Sequence, residues 1–268
     1  MRKRLLAFLR GLANLVVVIA VSAGLQRVLR GRVPPLAESF LLTAALVLLY
    51  FAGARWIERR QVVELRLAGS ARGVLSGLLL GIALFSSVMA ILWIAGAYRP
   101  AGWGTWRPLA LGLLFALSVA VFEEVLFRGF LFRLFAALGG NWTGLAVTAV
   151  FFGLAHAGNP GASPASSAAV AIEAGILLGA AYAASGALWL PIGIHAGWNF
   201  AEGFLFSMTV SGQIRPSGLI RGDLHGPNFL TGGPFGPEAS LIAVAVCLAL
   251  AAVYLRRMPR NPSARSIS

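Results

Sequence analysis

Long runs of apolar side chains dominate the chain, separated by short charged or Gly/Pro-rich breaks. The runs fall at Leu12 to Leu29, Ser39 to Ile57, Val74 to Ala97, Leu109 to Leu134, Trp142 to Ala157, Ala168 to Ala184, Leu188 to Val210 and Ser240 to Leu255. About 20 apolar residues in a helix cross a hydrocarbon layer of about 30 Å. The pattern therefore predicts an all-α fold, a polytopic membrane bundle of about eight transmembrane helices forming one domain over residues 1–268. Arg99-Pro100, Asn159-Pro160-Gly161 and Ser163-Pro164 mark connections, because proline and glycine punctuate chains there. A longer Gly/Pro-rich connection covers 211–238, after a central segment of about 109–210 that holds most of the internal polar residues.

Composition narrows the class. The 268 residues are 58% hydrophobic and 12% charged, with mean hydropathy +0.81, against about 25% charged in ordinary soluble domains. A soluble globule is excluded. The excess of 22 Lys+Arg over 9 Asp+Glu flanks apolar runs, which is the signature of an inserted chain, and no nucleic-acid partner is expected. With a cytoplasmic N-terminus, fifteen basic residues fall at inside ends and seven at outside ends. That ratio predicts a multi-pass cell-membrane protein with both termini in the cytoplasm, Arg27, Arg30 and Arg32 counting against it. Arg10 interrupts the first apolar stretch, which reads as a membrane helix and not as a cleaved leader. The single Cys247 provides no disulfide framework.

Glycines four residues apart, at Gly73, Gly77 and Gly81, at Gly175 and Gly179, and at Gly193 and Gly197, predict close helix packing. Glu38, Glu58, Glu64, Asp223 and Glu238 fall in connections or at helix ends. Glu123, Glu124, Glu173, Glu202, His156 and His195 fall inside spans, where an ionisable group is expensive and marks a functional site.

Three clusters carry candidate chemistry. In Glu123-Glu124-Val125-Leu126-Phe127-Arg128, Glu124 and Arg128 share a helix face, whereas Glu123 points about 100° away and is left free. His156 ends the fifth run four residues after Phe152. It lies as far beyond Gly140 as Glu123 lies before Gly139, so a hairpin places both at one depth. His195 and Asn199 lie one turn apart on the seventh run, with Glu202 further along; Trp198 is either packing or a substrate wall, and Glu173 has no evident partner. Such a group can deprotonate water and donate to an oxyanion, which is equipment for hydrolysis, and two histidines with a carboxylate can alternatively hold zinc. Two further readings remain open: paired axial histidines of a haem, and a membrane protein that binds peptides without cutting them, as in bacteriocin immunity.

These residues resemble the CAAX prenyl protease and bacteriocin-processing family, the Abi or CPBP intramembrane metalloproteases. Its motifs, Glu-Glu-x-x-x-Arg, Phe-x-x-x-His and His-x-x-x-Asn/Asp on successive membrane helices, are matched by Glu123, Glu124 and Arg128, by Phe152 and His156, and by His195 and Asn199. The resemblance implies an intramembrane endopeptidase for a membrane-embedded, lipidated or bacteriocin-like peptide. It implies that Glu123 and His156 activate the attacking water, and that His195 and Asn199 hold the scissile carbonyl or, with Glu123 and His156, help bind a metal such as zinc.

Overall fold

In a computed structural model, which describes residues 2–213 and 218–259, the apolar runs become eight helical rods. These are α1 (Arg2–Leu29), α2 (Pro35–Glu58), α3 (Ser70–Ile94), α4 (Leu109–Gly139), α5 (Asn141–Ala155), α6 (Pro164–Ser185), α7 (Trp189–Phe200) and α8 (Leu241–Arg257). Residues 214–217 of the long connection, and Arg215, Arg260 and Arg265 of the charge count, lie outside the described residues. Five rods, α1 to α4 and α6, are long and apolar enough to cross a membrane. The other three are shorter, and α5, at 15 residues, rises only about 23 Å.

Local chemistry sets the breaks. Gly140 takes φ 83°, a left-handed conformation that glycine adopts freely, and so lets α4 reverse directly into α5. Ser163 opens α6 with a capping box: its side chain accepts from the Ser166 amide, and Pro164 occupies the first turn. Ser240 caps α8 by accepting from the Ala243 amide.

Glycine spacing sets the tightest packing, α3 against α7. A Cβ on Gly81 would lie 2.1 Å from the Ile194 carbonyl oxygen, and one on Gly197 would lie 2.2 Å from that of Leu78. Only hydrogen fits on either backbone. This close approach holds α7, with His195, against a neighbour, and a core of Phe85, Met89, Leu178, Ile194 and Cys247 extends from it to α8.

At the end of the bundle that carries both termini, a polar knot ties α1, α2 and α4 together. Glu58 Oε1 accepts from Asn14 Nδ2 at 2.7 Å, and Glu58 Oε2 lies 2.9 Å from Arg60 Nε and 2.6 Å from Arg133 Nη2. Arg60 also reaches Glu64 at 3.0 Å and donates to the Tyr50 hydroxyl, which itself meets Glu64. Burial works against the charge of Arg60, but Tyr50, Glu64 and Glu58 together hold its pKa above the usual arginine value. Glu58 and Glu64 thus lie where the sequence places them, at a helix end and in a connection, and their side chains are buried there as partners of Arg60.

At the opposite end, strands β1 (Tyr98–Trp103) and β2 (Ile220–Leu224) pair antiparallel, a small ribbon that the apolar pattern does not foretell. Exposed Trp56 and Trp142 ring the terminus-bearing end, and exposed Trp93, Trp103 and Trp106 ring the other. Exposed tryptophans toward both ends are what helices meeting a bilayer–water interface at each end would carry.

Candidate active site

The segment Glu123 to Arg128 crosses from α-helical into π-helical winding, which runs from Val125 to Phe132. Glu124 and Arg128 nevertheless meet as expected: Arg128 Nη1 donates to Glu124 Oε1 at 2.7 Å, both side chains being 0% exposed. The other guanidinium branch donates to the carbonyls of Ala174 at 3.0 Å and Gly175 at 3.3 Å. Those two belong to a second π-helical stretch, Ala171–Ile176 within α6, whose altered winding turns carbonyls outward to receive a side chain.

Glu124 has a second partner that sequence spacing could not reveal. His195 Nδ1 lies 3.0 Å from Glu124 Oε1. An arginine-paired carboxylate only accepts, so Nδ1 carries the hydrogen and Nε2 is left for the cavity. There Nε2 stands 3.8 Å from Glu123 Oε2, beyond a direct hydrogen bond but close enough for one atom to bridge both. Glu123 Oε2 has no hydrogen-bond partner among the described residues, and the side chain is 23% exposed. The adjacent acids are therefore divided, Glu124 into the protein and Glu123 toward the open space.

His156 closes α5. Its Nδ1 lies 2.8 Å from the Phe152 carbonyl, an acceptor, which puts the hydrogen on Nδ1 and leaves Nε2 as the basic nitrogen of the neutral ring. The hairpin brings His156 to the same cavity as Glu123, although His195 is the imidazole within ion-pair range of that acid. Phe152 links the three helices. Arg128 lies over its ring at 4.8 Å, and the rings of Phe127, His156 and His195 sit 4.8, 4.9 and 6.1 Å from it.

Glu123, Phe152, His156 and His195 line a cavity of about 900 Å³ together with Asn199, while Glu124 and Arg128 lie behind it. Apolar walls from α1, α2 and α4, among them Leu46, Phe115 and Phe122, face the polar side. The lining continues to Gln26, Arg30, Glu38, Asn159 and Gln213, at the end of the bundle opposite the termini.

The long connection adds a carboxyl that sequence reasoning left at a helix end. Glu238 is 3% exposed, lines the cavity and accepts from Ser211 Oγ at 2.7 Å. Burial pushes its pKa up, opposed by the Ser211 hydrogen bond. The Ser211 carbonyl in turn accepts from Asn159 Nδ2 at 2.9 Å, so the connection is stapled beside His156. Glu173 meets Cys247 Sγ at 3.5 Å, and Glu202 is wholly buried, outside the cavity lining. No local pattern around Glu238 or Cys247 signals these placements, which arise from the return of the chain into α8.

The donor set also bears on zinc. Among the described residues no group of three or more His, Cys, Asp or Glu side chains is disposed to hold a metal ion, the set of Glu123, His156 and His195 included.

Residues 105–201 match the family described as Type II CAAX prenyl endopeptidase Rce1-like. No curated protein and no solved structure matches the chain. The matched stretch contains the whole of α4 to α7 and every motif residue named above.

Proposed function

We propose, taking as premise that its motif-bearing segment is that of a CAAX-type intramembrane protease, that the chain hydrolyses a peptide bond in a membrane-associated, lipidated substrate. The observation that carries the reading is the division of labour between the two glutamates: Glu124 is paired with Arg128 and bonded to His195 Nδ1, whereas Glu123 Oε2, at the cavity, has no hydrogen-bond partner among the described residues and stands 3.8 Å from His195 Nε2.

In this reading a water molecule bound between Glu123 and the free Nε2 of His156 loses its proton to Glu123 as its oxygen attacks the scissile carbonyl carbon. His195, doubly protonated, donates Nδ1–H to Glu124 and Nε2–H to the developing oxyanion, with the Asn199 amide as second donor. The proton on Glu123 then passes to the leaving nitrogen as the C–N bond breaks, giving a carboxylic acid and an amine, between which the last water proton exchanges to leave a carboxylate and an ammonium. No serine, threonine or cysteine is required as nucleophile, and no step is routed through a metal. The apolar walls from α1, α2 and α4 suit a lipid chain beside the peptide.

The test is turnover of an internally quenched, farnesylated peptide by purified protein in liposomes. Glu123→Gln keeps the size and removes the base, so it should lower kcat by about a thousandfold or more while the thermal midpoint stays that of the wild type. Retained turnover in Glu123→Gln overturns the assignment.

A further inference from the structure

Elsewhere in this chain buried acids find basic partners, Glu58 and Glu64 with Arg60 and Glu124 with Arg128. Glu202 and Glu238 find none. They are 0% and 3% exposed, and among the described residues neither is ion-paired with an arginine or lysine. Glu202 Oε1 lies beneath the connection, 3.3 Å from where a Cβ on Gly236 would stand. The polar groups that face it are the carboxyl and amide of Glu238, with the two carboxyls in hydrogen-bond reach of each other. As carboxylates both would only accept, which leaves each oxygen of Glu202 buried and without a partner. Two buried carboxylates side by side also repel. A single proton between them removes the repulsion and makes the bond.

We propose that Glu202 and Glu238 share a proton that latches the connection onto the end of α7 and, through Ser211 and Asn159, positions His156, a role in turnover that rests on the endopeptidase reading. The bonds run in series. Glu238 Oε1 accepts from Ser211 Oγ at 2.7 Å, the Ser211 carbonyl accepts from Asn159 Nδ2 at 2.9 Å, and the Asn159 amide donates to the His156 carbonyl at 3.1 Å. Ser211 has φ 46°, a left-handed conformation that a non-glycine residue keeps only where its surroundings hold it. Glu238 is thus a positioning residue. The titratable groups that face the pair are Glu173 from α6, Cys247 from α8, His156 from α5 and His195 from α7, and none carries a permanent positive charge. Burial holds the pKa of Glu238 above its ordinary 4.5. The latch is therefore complete where a free carboxylic acid is protonated, persists above that pH, and is lost as pH rises through the raised value.

Glu202→Gln puts an amide N–H where the shared proton lies and keeps it there at every pH, whereas Glu202→Ala removes the bond. Between about pH 6 and about pH 9, hydrogen exchange of residues 206–213, corrected for its intrinsic pH dependence, should rise about tenfold in the wild type. It should stay level in Glu202→Gln and be fast throughout in Glu202→Ala. The thermal midpoint of the wild type in detergent should fall over the same range relative to that of Glu202→Gln. With the farnesylated peptide, the ratio of wild-type to Glu202→Gln kcat cancels the titrations of Glu123, His156 and His195, which both proteins share. That ratio should fall about tenfold, with KM unchanged. Glu238→Gln still accepts from Ser211 and donates to Glu202, so it should match Glu202→Gln, and it carries the comparison where Glu202→Gln fails to fold. Parallel exchange and melting curves for wild type and Glu202→Gln overturn the proposal. A constant kcat ratio, with exchange as expected, overturns the positioning of His156. If exchange and melting follow expectation but the wild type cleaves nothing at any pH, the shared proton stands and the hydrolytic reading fails.

Discussion

Glu124 and Arg128 form an ion pair with both side chains at 0% exposure, and at that depth removing one partner is worth more than the pair itself. Glu124→Gln leaves Arg128 charged with only the carbonyls of Ala174 and Gly175, and leaves His195 Nδ1 with a weaker acceptor. The expected cost is about 3 to 5 kcal/mol, seen as a fall in the thermal midpoint in detergent, together with reduced turnover because His195 is no longer held. A Glu124→Gln protein that melts with the wild type would remove the structural role given to this acid. The pairing was legible in the sequence because four residues on a helix bring side chains together whatever the tertiary fold. The bond from Glu124 to His195 was not legible, since it joins helices 71 residues apart, and neither was the central place of Phe152 among Arg128, His156 and His195.

Four π-helical stretches carry buried or half-buried ionisable side chains: Ala54–Glu58 with Glu58, Val125–Phe132 with Arg128, Ala171–Ile176 with Glu173, and Ala201–Leu205 with Glu202. Apolar periodicity cannot announce them, because wider winding changes hydrogen bonding without changing residue type. Glycine spacing, by contrast, speaks directly about elements. Gly77 and Gly81 of α3 face Gly193 and Gly197 of α7 so closely that backbone touches backbone, and this contact positions His195. Gly81→Ala must push the Ile194 carbonyl away from a Cβ that would stand 2.1 Å from it. The expected cost is about 1 to 3 kcal/mol, with a drop in turnover as α7 shifts. Gly24→Ala in α1, where a Cβ meets nothing within 4 Å, is the control; it should be neutral or stabilising by up to about 1 kcal/mol. Equal thermal midpoints for the two variants would show that the α3–α7 contact can relax.

At the scale of the molecule, apolar runs foretold the number of rods but not their lengths or the ribbon of β1 and β2, which depends on pairing across more than a hundred residues. They also left orientation to a charge count that needs one amendment. Arg128, counted with the inside loops, is wholly buried against Glu124 and contributes nothing at the membrane surface. Arg59, Arg66, Arg72, Arg256 and Arg257 remain at the terminus-bearing end, so the positive-inside rule still predicts that end to be cytoplasmic. The cavity lining runs to Arg30, Glu38, Asn159 and Gln213 at the other end, so in that orientation the substrate is predicted to enter from the side away from the cytoplasm. Single cysteines in a Cys247→Ser background read this directly. Leu67→Cys occupies an exposed site in the connection between α2 and α3, and Arg99→Cys an exposed site in β1. In right-side-out vesicles an impermeant maleimide should label Arg99→Cys at once and Leu67→Cys only after the membrane is breached. The reverse pattern would turn the molecule over, and the cavity would then receive substrates from the cytoplasm.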